Sequence, residues 1–324
     1  MVERDHGGNL DAARAEFGGS AWIDLSTGIN RRPWPVPALP AESWTALPTQ
    51  AAAEALTAAA ATAYGVAPGF VLPLAGAQAA IQLYPRLRTP GEARVLSPTY
   101  NEHAAALSAE GWSVVPVDGL RGLAGADLAV VVNPNNPDGR TWSPEALESL
   151  SRKVGLLVVD ESFADPHPEL SCAPIAGERL VVLRSFGKFF GLAGVRLGFA
   201  LAAPSLLDRL RAMSGPWSVS GPALAIGARA LADTAWQTVT AERLHADARR
   251  LDQMAGRAGW ALVGGTALFR TYATPDAAAA QAQLAQRAIW SRRFPYSRTW
   301  LRLGLPDGSE WGRVEQALTE RRPA

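Results

Sequence analysis

Short apolar runs alternate along this chain with stretches whose apolar positions recur at helical spacing. Trp22 to Leu25, Phe70 to Leu74, Arg94 to Ser97, Trp112 to Val117 and Asp127 to Val132 are strand-length runs. Gly155 to Val159, Leu180 to Leu183 and Leu197 to Leu201 continue the series. Between them, Gln50 to Tyr64 reads as a helix closed by Gly65, and Asn101 to Glu110 and Ser143 to Arg152 as further helices. Two more helices follow Pro204 and Gly221. Alternation of this kind predicts an α/β domain with a mainly parallel sheet. The pattern then changes. A long amphipathic stretch from Thr234 to Ala258 leads into the runs Trp260 to Val263 and Ala267 to Tyr272. A helix around Asp276 to Arg287, the run Thr299 to Gly304 and a last helix from Ser309 to Arg321 complete a smaller α+β domain. The expected division is an N-terminal arm over 1–45, a large domain over 46–233 and a small C-terminal domain over 234–324. The alanine-rich tracts Ala51 to Ala63 and Ala277 to Ala288 fit helix, because alanine has the best helix propensity. The arm itself, with His6-Gly7-Gly8-Asn9, reads as a flexible terminus on composition alone.

Composition narrows the function class. The 324 residues suffice for a large core and two domains. Net charge is +1, from 31 basic and 30 acidic residues, so nothing electrostatic calls for a nucleic-acid or membrane partner. The single cysteine, Cys172, excludes an internal disulfide, and the polar start from Met1 to His6 is unlike an export signal. Together these favour the cytoplasm. No run reaches the roughly 18 apolar residues of a membrane span, and no metal site is expected.

The chemistry is concentrated between the apolar runs. Ser185-Phe186-Gly187-Lys188 lies between two of them, with Arg196 eight residues beyond the lysine. A lone loop lysine is usually just solvated, but this spacing suits a phosphorylated aldehyde cofactor. The amine condenses with the aldehyde, while the hydroxyl and guanidinium hold the phosphate. Ala75-Gly76-Ala77-Gln78 follows a strand and opens a helix, an arrangement that cradles phosphate on backbone N–H groups. That signal is weak alone, since many α/β turns use glycine. Tyr100 follows a strand and could cover an aromatic cofactor or simply pack. Asn133 to Arg140 is rich in turn residues. Asp160 comes directly after an apolar run, at the sheet edge where open α/β sheets bind ligands, although it could equally cap a turn. Arg302 lies inside an apolar strand and is either a solvated edge residue or a carboxylate clamp.

In this order and combination, these features resemble the fold-type I pyridoxal-phosphate (PLP) enzymes of the aspartate-aminotransferase fold family, over about residues 70 to 304. The resemblance implies a large PLP-binding domain with a mainly parallel seven-stranded sheet between helices, a smaller α+β C-terminal domain, and a homodimer. It implies that Lys188 binds the cofactor aldehyde, Asp160 keeps the pyridine nitrogen protonated, Asn136 bonds the ring hydroxyl oxygen and Tyr100 stacks on the ring. Gly76, with backbone amides at Ala77 and Gln78, and Ser185 and Arg196 would hold the cofactor phosphate; Arg302 would grip a substrate carboxylate. Within the family the chain resembles histidinol-phosphate aminotransferases and the L-threonine-O-3-phosphate decarboxylases of cobalamin synthesis. His6-Gly7-Gly8-Asn9, Ser26-Thr27-Gly28-Ile29-Asn30 and the short length point to the decarboxylases. The implied reaction converts L-threonine O-3-phosphate to (R)-1-amino-2-propanol O-phosphate and CO2. The ring motifs serve both reactions, so the choice rests on how the tail of a small phosphorylated amino acid is anchored. Candidate anchors are His6, Gly28, Asn30, Arg31 and Arg32. The alternatives are an aminotransferase of the histidinol-phosphate type and a non-catalytic PLP-binding module. Three departures stand out. Phe163 replaces the family's tyrosine, Ala46-Leu47-Pro48-Thr49 replaces an Arg-Tyr-Pro-Asp segment, and Ala77-Gln78 lacks a hydroxyl at the phosphate turn.

Overall fold

Valine and leucine fill the strands that become most deeply buried, because those strands are covered on both faces. The computed structural model describes residues 6–319. In chain order the strands are β1 (Ile23–Asp24), β2 (Val71–Leu74), β3 (Glu92–Leu96), β4 (Ser113–Val117), β5 (Leu128–Val132), β6 (Leu157–Asp160) and β7 (Leu180–Ser185). Then come β8 (Gly198–Leu201), β9 (Ala261–Thr266), β10 (Phe269–Ala273), β11 (Ile289–Trp290), β12 (Arg292–Phe294) and β13 (Ser297–Gly304). The chain forms two compact units. One holds the described residues up to Arg32, Pro137–Arg140 and those from Val239 on; the other holds Pro33–Asn136 and Thr141–Thr238.

The second unit carries a seven-stranded sheet in the order β2-β8-β7-β6-β5-β3-β4. Strands β3 to β7 pair in parallel, and β8 runs antiparallel between β7 and β2. Every residue of β5 and β6 is buried. The edge strand β4 has no fully buried residue and tolerates Pro116, as an edge can. One core cluster joins Leu74, Val130, Val158 and Val181 of the sheet to Ile81, Leu107 and Leu207 of the helices Ala77–Leu83, Glu102–Ala109 and Pro204–Ser214. Local signals set the helix ends. Gln50–Tyr64 begins where the Thr49 side chain accepts the Ala52 N–H, and stops at Gly65 in the left-handed conformation. Ser143 and Ser220 cap Pro144–Ser151 and Gly221–Ala232 in the same way.

Register brings the chemistry to one sheet edge. Leu74 pairs with Gly198, which pairs with Ser185; Leu183 pairs with Asp160, which pairs with Val132. The segments after β2, β5, β6 and β7, and the one before β8, therefore leave from the same side.

The first unit has a four-stranded antiparallel sheet, β12-β13-β10-β9, and a parallel pair, β1-β11. Arg302 is not an edge residue. It sits in β13, between Arg292 of β12 and Thr271 of β10, and is buried with Leu301 and Leu303. The arm is also more ordered than its composition suggests. Residues Leu10–Phe17 form a helix whose Asn9 cap accepts the Ala12 N–H. Phe17, Trp22 and Trp290 pack ring against ring beside it, with centroids 6.1 to 6.3 Å apart. Among the described residues no helix is long and apolar enough to cross a membrane.

Candidate active site

Lys188 lies in a one-turn helix, Phe186–Phe189, that follows β7 directly. Buried rings anchor that turn. Phe186 stacks on Phe190 at 4.4 Å between centroids, and Phe190 stacks on Trp236 at 5.6 Å. Lys188 is half-buried, and its Nζ lies 5.6 Å from the centroid of the Phe163 ring. Phe163 is itself buried, so the amine has an apolar neighbour in place of a phenol.

Asp160 closes β6 and is fully buried. Its Oδ1 accepts the Ser162 N–H at 2.9 Å and the Ser162 hydroxyl at 2.5 Å, and its Oδ2 lies 2.9 Å from His103 Nε2. Burial pushes this carboxyl up, but its hydrogen bond and electrostatic interaction with His103 and the hydrogen bonds from Ser162 outweigh it and hold the group below the usual carboxylate range. Asp160 is thus an anion at neutral pH.

Between β2 and β8 the backbone makes a cradle. Gly76 has φ 83°, and a Cβ there would stand 2.8 Å from Arg196 Nη2. A Cβ on Gly198 would stand 2.3 Å from the Ala77 nitrogen. Glycine at both positions lets the turn lie against β8 with the Arg196 guanidinium over it, and Ser185 is the ladder partner of Gly198. The Gln78 side chain has a separate task. Its Oε1 accepts from Tyr100 Oη at 3.3 Å, and its Nε2 donates to Glu102 at 3.0 Å. Tyr100 stands edge-on to His103, with centroids 6.1 Å apart. The loop after β5 is pinned by Asn135, which accepts from Thr99 Oγ1 and donates to the Pro98 carbonyl, and Asn136 follows it, half-buried. Leu47 is 66% exposed, while Thr49 caps a helix.

A buried ion cluster fixes the loop beyond Asp160. Arg184 donates to Glu161 at 2.8 Å and to Asp165 at 2.6 Å, and its guanidinium lies over Tyr64, 4.6 Å from the ring centroid. Removing the cation leaves two carboxylates buried together. Arg184→Leu is expected to lower stability by about 3–5 kcal/mol in urea unfolding, and a loss below about 1 kcal/mol would mean the cluster relaxes freely.

The other unit gathers groups suited to anions. Arg302 Nη2 donates to the Ser26 carbonyl at 2.6 Å. Burial first, and the charge of Arg292 second, lower its pKa to about 10, so it stays cationic at neutral pH. The Ser26 hydroxyl accepts the Gly8 N–H at 2.7 Å and donates to Asp24 at 2.6 Å. A cavity of about 370 Å³ is lined by His6, Glu16, Ser26, Trp290, Arg292 and Arg293, among others. Arg31 and Asn30 have side-chain partners within the same unit. Arg31 forms a two-pronged ion pair with Glu310, with Nε 2.7 Å from Oε2. Asn30 is buried and its Oδ1 accepts from the Arg32 N–H and from Arg243 Nη2, each at 3.0 Å. Arg32 is exposed and its guanidinium lies against Gly308; Gly28 is buried. Sequence reasoning overlooked Arg292, His103 and Glu102. The signal for His103 was a histidine three residues after Tyr100, on the buried side of a helix.

The family described as Aminotransferase class I and II matches residues 22–319. The chain belongs to that family. It is 45% identical to a threonine-phosphate decarboxylase of Pseudomonas aeruginosa over 97% of both chains. A histidinol-phosphate aminotransferase of Mycobacterium bovis is 34% identical over 69% of this chain and 64% of its own. A solved histidinol-phosphate aminotransferase from Sinorhizobium meliloti, in complex with pyridoxal-5′-phosphate, shares the fold at a TM-score of 0.80 and 20% identity, over 95% of this chain and 92% of that one. The sheet edge suits PLP. It offers a primary amine, an ionised buried carboxylate, a phenol ring and a guanidinium against the Gly76 turn.

Proposed function

We propose that this enzyme decarboxylates L-threonine O-3-phosphate to (R)-1-amino-2-propanol O-phosphate, the precursor of the cobalamin nucleotide-loop linker. The observation that carries this reading is the 45% identity to a threonine-phosphate decarboxylase over 97% of the chain. The histidinol-phosphate aminotransferase match stops at 69% of the chain. When bound, PLP supplies an electron sink for the bond broken at the substrate Cα. The chain's own residues do the rest. Lys188 provides the amine that condenses with the aldehyde. Asp160 balances positive charge on the ring nitrogen, Tyr100 covers the ring, and Asn136 bonds its hydroxyl oxygen. Ser185, Arg196 and the backbone from Gly76 to Gln78 hold the phosphate.

The substrate carries two anionic groups, and the first unit supports their recognition with two guanidiniums opposite each other in one ladder, Arg292 and Arg302. Arg302 takes the carboxylate; Arg292 and His6 take the phosphate. Arg31, paired with Glu310, shapes the loop that holds Asn30 and Arg32. Fixing the phosphate decides which Cα bond is presented for cleavage. Loss of CO2 leaves an electron pair on Cα, and Lys188 Nζ delivers the proton that replaces the carboxylate. The enzyme acts as a homodimer, a reading supported by the exposed apolar side chains of Trp44, Leu47 and Trp217; the lone Cys172 supports a cytoplasmic setting.

The test is product identification. Protein, PLP and L-threonine O-3-phosphate should yield the amino alcohol phosphate by NMR without a keto acid. Amino transfer that depends on a keto acid would favour the aminotransferase reading, and no spectral change with any amine would favour a non-catalytic PLP-binding module. Arg292→Ala and His6→Ala should each raise KM for the phosphorylated substrate about 10- to 30-fold, the loss of one charged hydrogen bond. PLP affinity should not change. Unaltered KM in both variants would remove the phosphate anchor from this cavity.

A further inference from the structure

Behind Asp160, three buried polar side chains stand in a row. Tyr84 and His103 are 0% exposed and Asp160 is 2% exposed. They come from separate elements: Tyr84 ends the helix Ala77–Leu83, His103 lies in Glu102–Ala109, and Asp160 ends β6. Tyr84 Oη lies 3.2 Å from His103 Nδ1, and His103 Nε2 lies 2.9 Å from Asp160 Oδ2.

The position of the protons follows from burial. A phenol with no access to water must donate its O–H to an acceptor inside the protein. Among the described residues the one hydrogen-bond partner of Tyr84 is His103 Nδ1. Burial raises the pKa of Tyr84 well above that of an ordinary phenol, so it keeps its proton. The phenol therefore donates, Nδ1 offers its lone pair, and the imidazole proton sits on Nε2, where it is given to Asp160. The opposite placement, Nδ1–H donating to the phenol oxygen, would leave the buried tyrosine proton without an acceptor among the described residues.

We infer that Tyr84 is a positioning residue that fixes His103 as the neutral Nε2–H tautomer, so that Asp160 gains a hydrogen bond but no second cation. This inference rests on the assignment of Asp160 to the cofactor's ring nitrogen. A cationic imidazole at 2.9 Å would compete with the ring for the one negative charge of Asp160. With a neutral imidazole that charge stays available to the ring proton. Tyr84, out of contact with cofactor and substrate, thereby sets how strongly the ring nitrogen holds its proton.

The direct test is the tautomer of His103 in cofactor-free protein, by multiple-bond proton–nitrogen NMR on histidine-labelled chain. The chain has four histidines, so His103→Gln identifies the signal. The expected result at neutral pH is a bare Nδ1 and a protonated Nε2. A doubly protonated ring or an Nδ1–H tautomer would overturn the proposal. Tyr84→Phe should convert the signal to a mixed-tautomer form, shift the absorbance of bound PLP and weaken PLP binding about tenfold. An unchanged tautomer in a folded Tyr84→Phe protein would also overturn it. Asp160→Asn separates the underlying assignment, because an unchanged spectrum of bound PLP in that variant refutes the role of Asp160 whatever the state of His103.

Discussion

Lys188→Ala is expected to abolish turnover and the visible absorbance of the bound cofactor while leaving the protein folded. The lysine stands on a turn held by Phe186, Phe189 and Phe190, each 1% exposed, so removing a half-buried side chain leaves that wedge in place. Two functions disappear together: the covalent link to the aldehyde, and the proton delivered to Cα. General acid–base groups alone contribute about 10²- to 10⁴-fold, so a fall of at least about 10⁴ is expected when the covalent link is lost as well. The proposed phosphate cradle is separate: Arg196 lies against Gly76, and Ser185 is the ladder partner of Gly198. PLP should therefore still bind, reversibly. Titration by absorbance and calorimetry checks both halves. A retained visible band would reassign the amine.

Arg302→Ala should do the reverse, leaving the cofactor spectrum intact and crippling substrate capture. The side chain is 6% exposed and is tied to the Ser26 carbonyl at 2.6 Å. Truncating a buried charge that pairs with a ligand carboxylate costs about 2–5 kcal/mol, or roughly 30- to 5,000-fold in kcat/KM. Arg302→Lys keeps the charge but not the two-pronged geometry, and should recover only part of the loss. Because the folded-state pKa is depressed to about 10, the cation is fully present at neutral pH and fades as pH rises through that value. Carboxylate affinity should fall with it. Steady-state kinetics with PLP saturating, from neutral to alkaline pH, checks this, and an unchanged KM in Arg302→Ala would place the carboxylate elsewhere.

What was legible in the chain depended on whether the signal was local. The sheet of the second unit was readable because β5 and β6 are apolar throughout, which covered parallel strands require. The helix Gln50–Tyr64 carried its own cap and stop. The turn that carries Lys188 was readable because it lies between two apolar runs, β7 and β8. Partners from distant parts of the chain were not. Arg31 looked free for an anion until folding brought it Glu310, 279 residues away. Arg292 is opposite Arg302 only through the pairing of β12 with β13, and β12 is three residues long, too short for a periodic signal. Tyr84, His103 and Asp160 meet only when two helices pack on the sheet. The helix Leu10–Phe17 depends on an Asn9 cap and on Trp290, which folding brings beside it.

Carboxyl-labelled L-threonine O-3-phosphate gives the most direct test of the central claim. With PLP and no keto acid, the labelled carbon should leave as CO2, in equal amount to the amino alcohol phosphate formed. Label retained in a keto acid, with the amino group passed to an acceptor, would contradict it.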